Sequence, residues 1–122
     1  FIGTHPVPPS GAELSAVRNQ HLRLLAAELA AMPGPVLLLG DLNTTPFSPH
    51  FRDFARASGL IHGGRGRGWL PTWPSFMPLL WVPLDHAFHS PALPLLELQI
   101  GAGAGSDHFP VIVDFAWPVV QK

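Results

Sequence analysis

At 122 residues the chain has room for one domain with a sizeable core, near the small end of the common range. A net charge of −1 excludes a global field toward nucleic acid or an anionic surface, and the absence of cysteine excludes disulfides and thiolate zinc sites. Only 12% of residues are charged while 47% are hydrophobic, so a large interface with a partner, a second copy or a missing piece of the same protein is expected.

Phe1 to His5 reads as a strand, and the chain opens as though already inside one, the mark of a fragment. Pro6-Val7-Pro8-Pro9 stops sheet pairing because proline offers no amide donor. Ser10 and Glu13 have the spacing of a capping box. The helix that follows places Leu14, Val17, His21, Leu22, Leu25, Leu29 and Met32 on one side, with Arg18, Gln20 and Arg23 elsewhere, and Pro33-Gly34-Pro35 ends it. Val36 to Gly40 is a continuous apolar run, the pattern of a central buried strand. A loop leads to Ser48-Pro49, an N-cap followed by proline in the first turn. The second helix runs to about Ser58 with Phe51, Phe54 and Ala55 inward and Gly59 as its stop. Ile61 to Gly68 is irregular and glycine-rich, and Trp69 to Trp81 is an aromatic, proline-rich loop. Its apolar extension, Met77 to Leu84, is far too short to span a membrane. Strands are predicted over Leu84 to Phe88, Leu95 to Ile100 and Phe109 to Phe115, which makes an α/β or α+β layer arrangement.

Three apolar runs begin or end in carboxylate, carboxamide or imidazole groups. Asp41 and Asn43 follow the central strand; in extended geometry both would point to one face, whereas an Asx-turn is the structural alternative. Asp is a hard ligand or a base, and Asn offers a donor to a phosphoryl oxygen. Asp107 and His108 precede the last strand and can share a site only where the chain bends in, which the lead-in Gly101 to Gly105 permits. Asp85 sits in an apolar strand and needs a partner; His108 is the candidate, since a carboxylate fixes an imidazole's tautomer and raises its basicity. His86 points to the other face and reads as structural, while His5 ends the first strand at the same rim. Arg65 and Arg67 either reach a substrate phosphate or ride on a solvated loop. Trp69, Trp73, Phe76 and Trp81 can stack bases, touch lipid or pack together. No P-loop, nucleophile elbow or zinc-ligand spacing is present.

Gly40-Asp41-Leu42-Asn43, Leu84-Asp85-His86 and Ser106-Asp107-His108-Phe109-Pro110, with Thr4-His5 ahead of them, resemble the endonuclease/exonuclease/phosphatase superfamily in motif and in order. The resemblance covers nearly the whole chain. Thr4-His5-Pro6 and Leu70-Pro71-Thr72-Trp73-Pro74 are similar to a bacterial branch whose full-length members often carry N-terminal membrane segments, so a membrane tether in the full-length protein is implied. The family fold is a two-sheet α+β sandwich (α/β-sandwich type, DNase I-like), and the half expected here is a mostly antiparallel sheet with two helices on one face.

Carried over residue by residue, the resemblance implies that Asp41 orients or deprotonates the attacking water and Asn43 holds it or the phosphate. It places Asp107, with Asp41, in the shell of Mg²⁺ (or Mn²⁺). It pairs His108 with Asp85 at the scissile phosphate and leaves His5 to stabilise the phosphoryl oxygens. The family's metal-binding glutamate and an early asparagine have no counterpart, because Glu13, Glu28 and Glu97 fall on helices or a late strand. Residues 1–122 are therefore expected to be the C-terminal half of the domain, with an incomplete metal site, weak or absent activity alone, and self-association through an uncovered apolar face. Nucleic acid is not the favoured substrate, given seven Lys and Arg. The alternative is a non-catalytic interaction module on the same fold.

Overall fold

The computed structural model describes residues 1–117. A central strand, β2 (Leu37–Asp41), organises the first sheet. It runs parallel to β1 (Ile2–Thr4) and antiparallel to β4 (Asp85–His89), which pairs in turn with a two-residue edge strand, β3 (Ile61–His62). The expected irregular stretch after Leu60 thus begins as a strand, because Ile61 and His62 find His89 and Phe88 across the ladder. Gly40 permits the β1–β2 approach: a Cβ there would collide with the Thr4 carbonyl.

Two helices, α1 (Ala12–Ala31) and α2 (Pro49–Ser58), pack on one face of this sheet. Leu38 and Phe88, neighbours across β2 and β4, meet Leu22, Ala26, Leu29, Phe51 and Phe54 there to form the core. Side chains alternate along a strand, so Asp41, Asp85 and Ala87 face the other way. A hairpin of β5 (Leu95–Ile100) and β6 (Val111–Phe115) forms a second, antiparallel sheet. Leu95 and Leu98 of β5 close over Gly63, and a cleft lined by Leu39, Asp85, His108 and Val111 separates β2 and β4 from β6. The result is an α+β arrangement with one parallel strand pair and otherwise antiparallel pairing.

The second helix matches its expectation: Ser48 accepts from the His50 N–H at 3.2 Å, Pro49 opens the first turn, and Gly59 closes the helix in the left-handed region. The first helix corrects two expectations. Its N-cap is Gly11, and neither Ser10 nor Glu13 makes a capping hydrogen bond, because the Ser10 N–H is already committed to the Pro8 carbonyl. Its inward stripe is Arg18, Leu22, Ala26 and Leu29. Leu14, Val17 and Met32, expected inside, are exposed. Its apolar residues spread over more than one face, and only contact with the sheet selects the buried one.

Candidate active site

β2 and β4 lie in antiparallel register with Asp41 directly opposite Asp85. Facing carboxylates repel, so the pair demands cationic company. His108 supplies it: Nδ1 donates to Asp85 Oδ2 at 2.7 Å, and Nε2 lies 3.8 Å from Asp41 Oδ2. His5, at the end of β1, brings Nε2 to 3.4 Å from the same oxygen. Asp41 is 11% exposed and His5 69%, so the group grades from a shielded carboxylate to an open imidazole.

The titration of these groups follows from their surroundings. Burial pushes the Asp41 carboxyl above the usual carboxylate range, and Asp85 adds to the push against the Asn43 N–H, His108 and His5. Burial works against charge on His108, but the hydrogen bond and charge of Asp85, helped by Asp41 and Asp107, outweigh it and raise the imidazole. Asp85 is thus the group that most favours the charged form of His108.

The backbone around these groups is tightly held. Thr72, fully buried, accepts through Oγ1 from the Leu84 and Asp85 N–H groups at 3.0 and 3.1 Å, while its carbonyl accepts from Phe109 N–H at 2.8 Å. One side chain and its own backbone thereby tie the start of β4 to the approach to β6. Sequence reading missed Thr72, since a threonine in a proline-rich loop carries no signal of its partners.

Asn43 departs from its expected pose. It is left-handed at φ 48° rather than extended, and its N–H donates to Asp41 Oδ1 at 2.7 Å, which is the Asx-turn alternative. Its carboxamide turns inward to donate to the Pro6 carbonyl at 2.8 Å rather than standing beside Asp41. The Asn43 carbonyl accepts from buried Arg18, whose Nε also holds Asn19 Oδ1 at 2.8 Å. Burial lowers the Arg18 guanidinium. Arg18, expected on an outer face, instead buttresses the loop that aims Asp41. Arg18→Met, which leaves that carbonyl unpaired, is expected to cost about 1–3 kcal/mol, read from the urea midpoint; an unchanged midpoint would remove Arg18 from this role.

Asp107 does not join the group either. The chain turns at Gly105, the Ser106 hydroxyl accepts from the His108 N–H at 3.1 Å, and Asp107 points to solvent, accepting from Trp73 Nε1 at 3.2 Å. The Arg67 guanidinium is spent on the Gly63 and Leu96 carbonyls. Arg65 lines a cavity of about 450 Å³ beside Asp85 with Phe47, Arg52, His62 and Trp69.

His86 lies on the helix side of the sheet, buried as expected of a structural residue. Its Nε2–H donates to the Thr44 carbonyl at 2.9 Å, which leaves Nδ1 to accept from His62 Nε2–H at 3.3 Å. Burial holds both imidazoles neutral, down to about 4.

Asp41, Asp85 and His108 each offer a ligand atom within 4.8 Å of the others. Two opposed carboxylates fit part of the shell of a hard divalent ion such as Mg²⁺ or Mn²⁺, with an imidazole more at home on the latter. Glu13 and Glu28 on α1 and Glu97 on β5 stand outside this group, so the remaining positions would fall to water or to donors beyond this chain.

The layered α+β sandwich, with carboxylates and imidazoles gathered near its strand ends, is the class of fold that the chain presents. The particular family follows: the sequence matches the Endonuclease/Exonuclease/phosphatase family over residues 2–108, and the chain belongs to it. Among solved structures it is similar to an endonuclease/exonuclease/phosphatase of Bacteroides vulgatus, with a TM-score of 0.71, 20% identity, and 95% of this chain covering 48% of that one. It is also similar to the human Nocturnin catalytic domain, at TM-score 0.67, 23% identity, and coverage of 94% and 46%. The mannosyl-6-phosphatase of Bacteroides thetaiotaomicron gives 0.64, 19%, 94% and 49%. At these identities the likeness is one of fold. The chain spans about half the length of these neighbours. No curated protein matches the sequence significantly.

Proposed function

We propose that this chain is the C-terminal half of a DNase I-like domain and carries one side of the catalytic rim of a divalent-metal-dependent phosphoester hydrolase. The observation that carries the reading is the convergence of Asp41, Asp85 and His108, with His5 at the margin. Asp41, shielded and reluctant to ionise, orients the attacking water and takes its proton. His108, its charged form favoured by Asp85, holds or protonates an oxygen of the scissile phosphate, and His5 meets the phosphoryl oxygens from the open side. A divalent ion held by Asp41 and Asp85 would supply positive charge against those oxygens. Small phosphodiesters, phospholipid headgroups and phosphomonoesters are favoured over nucleic acid, because Lys and Arg number only seven.

The exposed flank formed by Val17, Leu24 and Met32, with half-buried Ile2 beside them, is the surface that the remaining half, or a second copy, would cover. The test is hydrolysis of bis(p-nitrophenyl) phosphate with Mg²⁺ or Mn²⁺. The isolated chain is expected to turn it over poorly or not at all. A longer protein containing the chain is expected to turn it over, and to lose activity on His108→Ala. Robust Mg²⁺-dependent turnover by the 122-residue chain would overturn the half-domain reading, and an active His108→Ala protein would overturn the site.

A second reading, the interaction module, is favoured by the commitment of the Asn43 carboxamide to Pro6 and by the lack of a glutamate in the group. Calorimetric Mg²⁺ titration of the longer protein separates the two, since only the enzyme requires the ion.

A further inference from the structure

From Trp69 to Leu84 the chain carries no ionisable side chain. A run so apolar is expected to fold inward, yet its middle stands out: Phe76 is 70% exposed, Leu79 97% and Leu80 56%. The display is built rather than slack. Trp73 and Val82 exchange backbone hydrogen bonds of 3.1 and 2.7 Å across the base of the loop. The Ser75 N–H donates to the Asp107 carbonyl at 2.7 Å and its hydroxyl to the Ser106 carbonyl at 2.8 Å. Pro78–Leu80 form a turn of 3₁₀ helix at the tip. Below it, Trp81 packs edge-on against Phe109 at 5.5 Å.

We propose that this tip is a bilayer-docking surface, with Phe76, Leu79 and Leu80 seated among lipid acyl chains. Arg65 at its foot, in the cavity it shares with Trp69 and Leu70, meets anionic headgroups. Among the described residues no carboxylate engages the Arg65 guanidinium, so its charge is available. The run has no charge with which to specify a complementary protein groove. An apolar point with indoles near its base and a cation beside it instead matches the layering of a membrane interface. The base of the loop is bonded to Asp107 and to the start of β4, so docking would bring the mouth of the candidate site to the headgroup layer. That the substrate is then a phosphoester carried by a lipid rests on the hydrolase reading; the docking does not.

The test is co-sedimentation of the chain with phosphatidylcholine vesicles, with and without phosphatidylglycerol, alongside quenching of tryptophan emission by brominated phosphatidylcholine. The chain is expected to bind, more tightly with the anionic lipid, and to be quenched. Phe76→Ser with Leu79→Ser, two solvent-facing changes, is expected to reduce the bound fraction about tenfold or more. Arg65→Gln is expected to erase only the preference for phosphatidylglycerol. No binding by the parent chain, or equal binding by the double variant, overturns the proposal. So does a double variant that only dissolves a dimer in sedimentation equilibrium, which would make the tip a contact between copies. A longer protein that binds vesicles but hydrolyses no phosphoester leaves the docking standing and removes the hydrolase reading.

Discussion

Asparagine in place of Asp85 is expected to lower phosphoester turnover of the whole domain by about 10²–10⁴-fold and to return the His108 imidazole toward its ordinary titration range. The 2.7 Å hydrogen bond from His108 Nδ1 ends on a carboxylate oxygen, and that bond and the charge of Asp85, helped by Asp41 and Asp107, overcome the penalty of burial on the imidazolium. A carboxamide either opposes one donor with another, which loses the tautomer, or accepts without charge, which loses the electrostatic support of the imidazolium. The fold should survive, because Thr72 holds the Leu84 and Asp85 backbone independently of the Asp85 side chain.

The sign can be checked on the isolated chain. A raised imidazole contributes stability that is complete below its unfolded value of 6.5 and is lost as pH rises through the higher folded value. In Asp85→Asn that window should close, and the His108 ring-proton NMR titration should move down. A titration unchanged by the substitution would remove Asp85 from its role.

The second large effect is loss of stability in mild acid. His62 and His86 are held neutral down to about 4 by burial, whereas an unfolded imidazole takes its proton near 6.5. Their contribution is complete above pH 6.5 and drains away as pH falls toward 4, because the unfolded chain then binds more protons. For His86 alone the loss is about 3 kcal/mol; His62, less buried, adds in the same direction. Protonation also sets two N–H groups against each other where His86 Nδ1 now accepts from His62. His108 and Asp41 act oppositely, since both folded groups hold a proton more readily than they do in the unfolded chain. Urea unfolding from pH 7 to 4 should therefore show a falling midpoint in the parent chain. It should show a flatter one in His86→Gln, whose carboxamide can still donate to the Thr44 carbonyl, with the remaining slope due to His62. Equal slopes would mean that this pair is not the acid-sensitive element.

Much of the fold was readable from local chemistry. The Ser48-Pro49 start and Gly59 stop of α2 are signals carried within a few residues, and both appear as read. The continuous apolar run before Asp41 announced a central strand, and β2 is paired on both sides. The pairing of Asp85 with His108 was also inferable, since a carboxylate in an apolar strand must find a donor. The orientation of α1 was not, because its leucines, valine and alanines cover more than one face, and a buried arginine cannot be foreseen without the loop carbonyl it serves.

What the amino-acid order determined by itself is therefore the kind and sequence of the elements other than β3, and which strands end in carboxylate or imidazole groups. Alternation, caps and proline stops act over a few residues, so they can be read without knowing the neighbours. Only tertiary structure decided that Asn43 turns inward, that Asp107 faces Trp73, that two imidazoles bury one another and that an apolar loop stands in solvent. Each of these depends on partners tens of residues away. The direction in which a side chain points is a free-energy balance struck with whatever the sheet pairing brings beside it.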